Sequence, residues 1–262
     1  MIANFIFFLK IVRVFKRYNI LILIEKNIRF KFFFRIFTFL LAPFTFVQAK
    51  GQDSDGIRIS SALNELGPSF IKLGQLISTR PDIIGNEIAE DMAMLRDNLP
   101  PFPKKEAIEI IEEQFGRKID DIFLNFSEPI AAASIAQVHF AKINDSGKIT
   151  PVAVKILRPK IIETIDEEMR RLDWLTGFLE NFSELKRLQL NSVIKKAQEI
   201  IRFELDLRYE AAAASELKEN TKNDHSFYVP KIYWENVTKK VLTIERISGT
   251  PADKIELLKT NN

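Results

Sequence analysis

The sequence has 262 residues, of which 46% are apolar and 28% are charged, with a formal net charge of +3. These averages are typical of a globular protein and exclude a disordered chain, whose apolar content is far lower. The absence of cysteine excludes disulfide scaffolds and thiol chemistry. His139 and His225 are the only histidines, too few for the usual zinc ligand sets, so no metal site is predicted.

Charge is unevenly distributed along the chain. Residues 1–50 hold nine Lys or Arg and a single acidic residue, Glu25, whereas residues 51–262 have a net charge of −5. The same first segment contains 12 of the 22 Phe. A basic aromatic arm, residues 1–47, therefore precedes a mildly acidic body that is long enough to bury a sizeable core.

The arm has two interpretations that stay open. Its longest apolar run, residues 36–47, contains Pro43 and is shorter than the ~20 residues of a membrane-spanning helix. Cations interleaved with Phe and Leu suit an interfacial helix on an anionic lipid surface. Alternatively, the arm packs on the body as a pair of helices. A signal peptide is disfavoured because the charges are spread throughout, and nucleic acid because the acidic body would repel its backbone.

The predicted elements begin after a polar linker over residues 48–56. Residues 57–118 form a helical extension, because apolar residues recur at helical spacing up to residue 116. Glycine and proline interrupt the pattern at Gly67-Pro68, Pro81, Gly85 and residues 99–103. Four short helices are predicted over residues 59–66, 70–77, 88–95 and 108–115.

The pattern changes to strands near residue 119. Strands are predicted over residues 122–126, 135–143, 152–157, 228–234 and 240–246, with a hairpin turn at residues 144–147. Two long helices, 159–179 and 192–219, lie between the third and fourth strands, and a last helix begins near residue 253. The fold class is therefore α+β, with one lobe over residues 119–250.

The segment Val152-Ala-Val-Lys155 carries the first chemical signal. Strand alternation places Val152, Val154 and Ile156 on one face and Ala153, Lys155 and Leu157 on the other. A lysine beside a small alanine suits a nucleotide, since alanine leaves room for adenine and the ammonium reaches the phosphates. On its own this signal is weak, because an edge-strand lysine often points to solvent.

The segment upstream occupies the strand-turn-strand position where a kinase has its glycine-rich loop. It contains alanines where glycines would approach a phosphate, and each Cβ pushes the ligand away. The predicted result is a weak grip on a γ-phosphate and an altered nucleotide preference. The candidate binding residues are Ile130, Ala131, Ala132, Ala133, Ser134, Ile135, Ala136, Gln137, Val138 and Lys155.

Two carboxylates are predicted on one side of the long helix over residues 192–219. Asp206 and Glu210 are four residues apart on a helix that carries apolar residues on two sides. Buried carboxylates are costly unless they are paired. Glu210 is positioned to pair with Lys155 and hold it over the phosphates. The candidate partners of the two carboxylates are Lys155, Lys72, a metal ion, Arg202 and Arg208.

With these segments in order, the chain from residue 55 to 262 resembles the UbiB family of atypical protein-kinase-like proteins. The resemblance makes Lys155 and Glu210 the supporting catalytic pair. It also assigns regulatory positions to four residues in two further motifs. The matching segments are Lys72-Leu-Gly-Gln75 (the K-x-G-Q motif), Ala131 to Ser134 (the alanine-rich loop), Lys155, Glu204 and Asp206 (the E-x-D motif), Glu210, and Leu242 to Gly249 (the hinge).

The resemblance implies a protein-kinase-like N-lobe, with an antiparallel sheet and a long helix, preceded by the helical extension of residues 57–118. In this family the helix with Lys72 and Gln75 lies over the active site and blocks protein substrates. The family also implies ATP or ADP, magnesium, membrane association and support of ubiquinone or related polyprenyl-quinone biosynthesis. The implied location is the cytoplasmic face of a bacterial inner membrane.

The elements that complete phosphoryl transfer are missing from this sequence. A kinase needs a catalytic-loop Asp and an Asn and Asp that hold magnesium, yet no such motif follows the hinge. We therefore interpret residues 251–262 as the start of a truncated C-lobe in a fragment, split-gene product or decayed gene, with magnesium expected only if a C-lobe is supplied. The expected partners are a lipid surface, a separate C-terminal polypeptide and quinone-biosynthesis proteins, without nucleic acid. The alternative is an inactive remnant, at most a nucleotide-binding or membrane-bound interaction module.

Overall fold

A computed structural model describes residues 2–27, 53–93, 99–250 and 258–259. By its contacts the chain divides into two units. The helical unit comprises Met1–Leu99, Ala133–Ile135 and Lys160–Arg202, and the sheet unit comprises Pro100–Ala132, Ala136–Pro159 and Phe203–Asn262. Residues 28–47 of the arm, most of the predicted linker over 48–56 and most of the predicted helix from residue 253 lie outside the described residues.

The helical unit is built from short helices. Their bounds are α1 Ile2–Arg17, α2 Ile20–Asn27, α3 Asp55–Leu66, α4 Pro68–Ser78, α5 Pro81–Ile84, α6 Asn86–Ala93, α8 Ile161–Leu179, α9 Ser183–Lys186 and most of α10 Leu190–Glu204. Gly67 separates α3 from α4 with a φ of 124°, which side chains rarely permit, and Pro68 then begins α4. The breaks predicted at Gly67-Pro68 and Pro81 are therefore confirmed.

The first helix of the arm packs on the rest of the helical unit. Its buried face contains Phe7, whose ring centroid lies 6.0 Å from that of Phe70 in α4. Lys10 Nζ donates a hydrogen bond of 2.9 Å to the Leu66 carbonyl at the end of α3. Packing on the body, one of the two alternatives for the arm, is thus present along α1, while Phe5 and other apolar residues of α1 stay exposed.

A four-stranded antiparallel sheet forms the centre of the sheet unit, within the described residues. The strands are β1 Pro129–Ala132, β2 Ala136–Asp145, β3 Lys148–Leu157 and β4 Val241–Glu245, in the order β1-β2-β3-β4. The predicted hairpin joins β2 to β3, where Ser146 and Gly147 have φ of 55° and 87°. Two left-handed residues match the twist of the strands, so this turn is the favoured type for a two-residue loop.

One face of the sheet forms a hydrophobic core with helix α7, Lys104–Phe115. Val152, Val154 and Ile156 of β3 are fully buried there, together with Ala107 and Ile111 of α7. The alternation predicted for β3 is therefore correct. It leaves Ala153 and Lys155 on the opposite, partly exposed face. The α+β class and the kinase-like arrangement of sheet and helices are confirmed.

Two predicted strands are wrong. Residues 122–126 form only one bridge, between Leu124 and Lys142, and residues 228–234 only one, between Ile232 and Ile244. Asn125 has a φ of 54°, which ends the extended conformation, and Pro230 lacks the N–H that a strand ladder requires. Some of the apolar residues that suggested strands are buried, such as Phe123 and Ile232, whereas Leu124, Tyr228 and Trp234 are exposed.

The long helix predicted over residues 192–219 is also wrong. The chain forms α10, which ends at Glu204, and a second helix, α11, over Leu207–Asn220. Asp206 is the N-cap of α11, with extended φ and ψ of −131° and 96°, and its carboxylate accepts a hydrogen bond from the Arg208 N–H. Leu207 N also donates to the Lys239 carbonyl at 3.0 Å. Aspartate favours this capping position, so the helix restarts there.

Candidate nucleotide-binding site

Lys155 lies near the C-terminal end of β3 and forms an ion pair with Glu210 in the first turn of α11. Its ammonium donates to both carboxylate oxygens, at 3.0 and 2.7 Å. On either side of Lys155 in the sheet are Val138 of β2 and Leu242 of β4. The structure thus joins the two residues that the sequence suggested as a pair.

This ion pair contributes little to folding. The side chains of Lys155 and Glu210 are 31% and 50% exposed. Ion pairs with such exposure contribute only about 0–1 kcal/mol, because water screens them and two long side chains lose their freedom. The bidentate contact instead fixes the direction of the Lys155 ammonium, which remains accessible to an anionic ligand.

The strand register builds an apolar surface around Lys155. Paired residues on adjacent antiparallel strands point to the same face. Phe140 pairs with Ala153, and Ala153 also pairs with Ile244. With Val138, these partly exposed side chains share the face of the sheet that carries the ammonium. We name Val138, Phe140, Ala153 and Ile244 the platform; the small Ala153 leaves room for a planar base.

Two platform residues were missed by sequence reasoning. Phe140 follows Val138 by two positions, so strand alternation alone would have placed it on the same face. Ile244 needed the pairing register of β3 and β4, which the sequence does not contain. The guanidinium carbon of Arg246 lies 3.7 Å from the Phe140 ring centroid, so the guanidinium stacks on the Phe140 ring in a cation–π contact and covers one face of it.

The alanine-rich loop connects β1 to β2. Ala131 and Ala132 are still part of β1, paired with Val138 and Gln137, and residues 133–135 make the turn. These three turn residues belong by contacts to the helical unit. Ser134 is fully buried there, and its hydroxyl has no hydrogen-bond partner among the described residues. Of the predicted loop residues, Ile130 and Ala131 are exposed, whereas Ile135 and Ala136 are buried.

Gln137 is occupied by a buried hydrogen-bond network. Its side-chain oxygen accepts from the Phe102 N–H at 2.9 Å, and its amide nitrogen lies 3.2 Å from the Phe102 carbonyl. The same nitrogen lies 2.9 Å from His139 Nε2, and His139 Nδ1 lies 2.9 Å from the Ser127 carbonyl. Because a carbonyl only accepts, we assign the proton to Nδ1, and Nε2 then accepts from Gln137. Burial lowers the pKa of His139, which keeps the imidazole neutral.

The K-x-G-Q residues lie on α4 in the helical unit, whereas Lys155 and Glu210 lie in the sheet unit. Lys72 is buried and Gln75 is half-buried. In the same helix the Ser69 N–H donates to a carboxylate oxygen of Glu168 at 3.4 Å, which ties the start of α4 to α8. The regulatory role of Lys72 and Gln75 stays a prediction.

The E-x-D residues flank the break between α10 and α11. Glu204 ends α10, and Asp206 caps α11 and pairs with Arg208, whose Nη2 lies 2.6 Å from Oδ2. The hydrogen bond from Arg208 lowers the pKa of the Asp206 carboxyl. Of the candidate partners predicted for the Asp206 carboxylate, Arg208 is the one that pairs with it in the structure. The expectation that Asp206 and Glu210 share one side of a single helix is wrong, because Asp206 precedes the helix.

The residues present fit a nucleotide better than a metal. The platform and the Lys155 ammonium match a planar base and a phosphate. Within the described ranges, no group of three or more His, Asp or Glu side chains is placed to hold a metal ion. No described helix is both long enough and apolar enough to cross a bilayer.

Residues 94–262 match the model of the ABC1 atypical kinase-like domain, which is more than half of the chain. The chain belongs to this family. A protein named "Probable protein kinase UbiB" from Marinobacter nauticus is 42% identical over 223 residues, which cover 84% of this chain and 40% of that protein. Proteins of the same name from Pseudomonas paraeruginosa and Azotobacter vinelandii are 42% and 39% identical over 206 and 211 residues, 78% and 80% of this chain.

These matches place the ABC1-family chain in the UbiB family, to whose N-terminal portion it corresponds, and the predicted resemblance is confirmed. The chain spans about two fifths of the length of the UbiB relatives it matches: 40%, 38% and 39% of those proteins. The activity and partners of a whole UbiB protein are therefore proposals for this chain.

Proposed function

We propose that this chain binds an adenine nucleotide as part of a UbiB-type atypical kinase or ATPase. The observation that carries the proposal is the bidentate contact between Lys155 and Glu210 at 2.7 and 3.0 Å. In protein kinases a strand lysine held by a helix glutamate positions the phosphates. In the proposed complex, Lys155 binds phosphate oxygens, Glu210 orients Lys155, and the platform packs against the adenine.

The alanine-rich loop is proposed to cover the phosphates loosely. Ala131 and Ala132 lie in β1 beside Val138, so the loop begins close to the platform. A Cβ at each position keeps the backbone N–H groups farther from a phosphate than glycine would. We expect Ala132→Gly or Ala133→Gly to shift the ratio of ATP to ADP affinity toward ATP. An unchanged ratio would contradict this role.

Phosphoryl transfer needs a catalytic Asp and magnesium ligands, for which no motif follows the hinge in this sequence. We propose that the catalytic Asp and the magnesium ligands come from the remainder of a UbiB-type protein or from a separate C-terminal polypeptide. Magnesium bound with the nucleotide would neutralise phosphate charge. Two measurements test this: mass spectrometry of the native protein and sequencing of the coding DNA beyond codon 262. If cells contain a stable chain but no such polypeptide, the proposal is contradicted.

Nucleotide-dependent thermal stabilisation tests the binding site directly. A ligand at one hundred times its dissociation constant stabilises the folded state by about 2.7 kcal/mol, which raises Tm by about 5–10 °C for a chain of this size. Lys155→Met should abolish the shift while changing Tm without nucleotide by only a degree or two. The matched control is Lys196→Met, which breaks an exposed pair with Glu199, also of 2.7 Å, on α10 and should keep the full shift.

The outcomes separate the two functions considered from the sequence. A shift that needs Lys155 and is accompanied by phosphate release once the missing groups are supplied supports the kinase or ATPase. A shift that needs Lys155 without any phosphate release identifies the alternative, a non-catalytic nucleotide-binding module. No shift with ATP or ADP in the millimolar range would refute nucleotide binding.

The process we propose is ubiquinone biosynthesis at the cytoplasmic face of a bacterial inner membrane, together with other quinone-biosynthesis proteins. The UbiB-named relatives support the link to ubiquinone biosynthesis; the location and the partner proteins are what the family resemblance implies. Replacing the chromosomal copy with Lys155→Met and measuring ubiquinone by chromatography should show a loss of quinone. Normal quinone in a strain whose variant protein accumulates to wild-type level would contradict the proposal.

A further inference from the structure

An exposed aromatic ridge runs along the end of α8 and into the turn before α9. Trp174, Phe178 and Phe182 are spaced by four residues and are 40%, 48% and 51% exposed. The Trp174 and Phe178 ring centroids are 6.2 Å apart and nearly parallel, and those of Phe178 and Phe182 are 5.8 Å apart, edge to face. Arg170 lies one turn before Trp174 on α8, and Lys186 ends the short helix α9 that follows Phe182; both are exposed.

The ridge is not needed for the core of the helical unit. Helix α8 already buries another side, through Met169, Leu172 and Leu175. The C-terminal half of α8 is therefore apolar on two sides, of which packing within the unit uses one. Contiguous exposed aromatic surface of this kind marks a site of contact with a protein or a membrane.

The charges around the ridge distinguish between these occupants. Two carboxylates beside the ridge are engaged within the unit: Asp173 accepts from Asn191 Nδ2 and Glu180 from the Asn191 N–H, both at 2.8 Å. Within the described part of the chain, Arg170 and Lys186 form no ion pair. An exposed aromatic strip with one cation a turn before it and another in the short helix after it complements an anionic lipid surface.

We propose that this ridge docks on the surface of an anionic lipid bilayer. The three rings follow one another at 6.2 and 5.8 Å between centroids and make a short strip at the end of α8 that can contact a membrane surface. Trp and Phe are favoured at the boundary between headgroups and acyl chains, where Arg170 and Lys186 reach the phosphates. The proposal rests on the proposed membrane location and names a surface for it outside the arm.

The two tryptophans of the chain, Trp174 and Trp234, make a direct test possible. The full chain with Trp234→Phe reports only on the ridge. The full chain with Trp174→Phe reports only on Trp234, which is 51% exposed in the sheet unit and serves as the matched control. Each is mixed with vesicles of phosphatidylcholine alone or with phosphatidylglycerol, with and without brominated acyl chains, and the emission spectrum is recorded.

The expected result is a blue shift and bromine quenching of Trp174 on phosphatidylglycerol vesicles, with Trp234 unchanged. Arg170→Gln with Lys186→Gln should weaken this binding several-fold. Flotation of the chain without a Trp174 signal would overturn the ridge proposal and leave membrane binding to the arm. Three other results would also overturn the proposal. They are no binding to any vesicle, equal Trp174 signals on neutral and anionic vesicles, and a Trp174 spectrum that is already blue-shifted without lipid because a protein partner covers the ridge.

Discussion

Replacing Gln137 by methionine should strongly destabilise the sheet unit. The Gln137 side chain is 1% exposed and satisfies three buried groups: the Phe102 N–H, the Phe102 carbonyl and His139 Nε2. Methionine has a similar length and leaves little cavity, so the cost comes from these groups losing their partners. Each unsatisfied buried group costs about 1–3 kcal/mol. Allowing for relaxation, we expect a loss of about 3–5 kcal/mol, a large share of the roughly 5–15 kcal/mol that stabilises a typical domain.

Urea unfolding, followed by the fluorescence of Trp234 in a Trp174→Phe background, measures this loss. The midpoint should fall while the m-value stays constant, and the Phe102 amide should lose protection from hydrogen exchange. Gln198→Met is the control, because Gln198 is half-buried on α10; its effect should stay within about 0.5 kcal/mol. A loss below about 1 kcal/mol for Gln137→Met would refute the reasoning that the network stabilises this unit.

Three further predictions concern other buried contacts. Burial lowers the pKa of His139 below its usual 6.5. The unfolded state therefore binds more protons, and the free energy of unfolding should fall as the pH drops below 6.5; an equal slope in urea titrations of His139→Leu would contradict this. Asp206→Ala should lower the free energy of unfolding by about 1 kcal/mol, because α11 loses its cap. Asp206→Asn keeps the cap and should lower it clearly less. Equal losses of stability in urea unfolding would show that the cap is not the cause. A Cβ on Gly56 would overlap the Asp91 side chain, so Gly56→Ala should lower the free energy of unfolding by about 1–3 kcal/mol in thermal melts. The control is Gly177→Ala, whose Cβ meets no other atom and which should not lower it. Similar Tm values for the two variants would refute the overlap.

The sequence predicted correctly those turns and helix breaks that depend on residues close to one another along the chain. Gly67-Pro68 ends one helix and begins the next, and the segment at residues 144–147 makes the hairpin that places β3 beside β2. Alternation along β3 then separates the buried Val154 from Lys155. These features depend on residues that are close in sequence, so they are readable without the structure.

Long-range contacts account for what the sequence did not predict. Phe102 and Gln137 are 35 positions apart, and no local pattern in either segment predicts the hydrogen bonds between them. Ile244 joins the platform only through the register of β4 against β3. The helix break before Leu207 was missed because apolar spacing continues across it, and the chain is held there by the Lys239 carbonyl, more than 30 residues away.

The helix break gives the two carboxylates different tasks. Asp206 fixes the start of α11 by capping it and by pairing with Arg208, and Glu210 follows one turn later, where it meets Lys155. Because a helix is rigid over one turn, the position of its first residue determines where the Glu210 carboxylate lies. We therefore expect Asp206 to act on Lys155 indirectly, as a positioning residue. Asp206→Ala should then weaken nucleotide-dependent stabilisation more than Asp206→Asn does, in the same order as their effects on the cap.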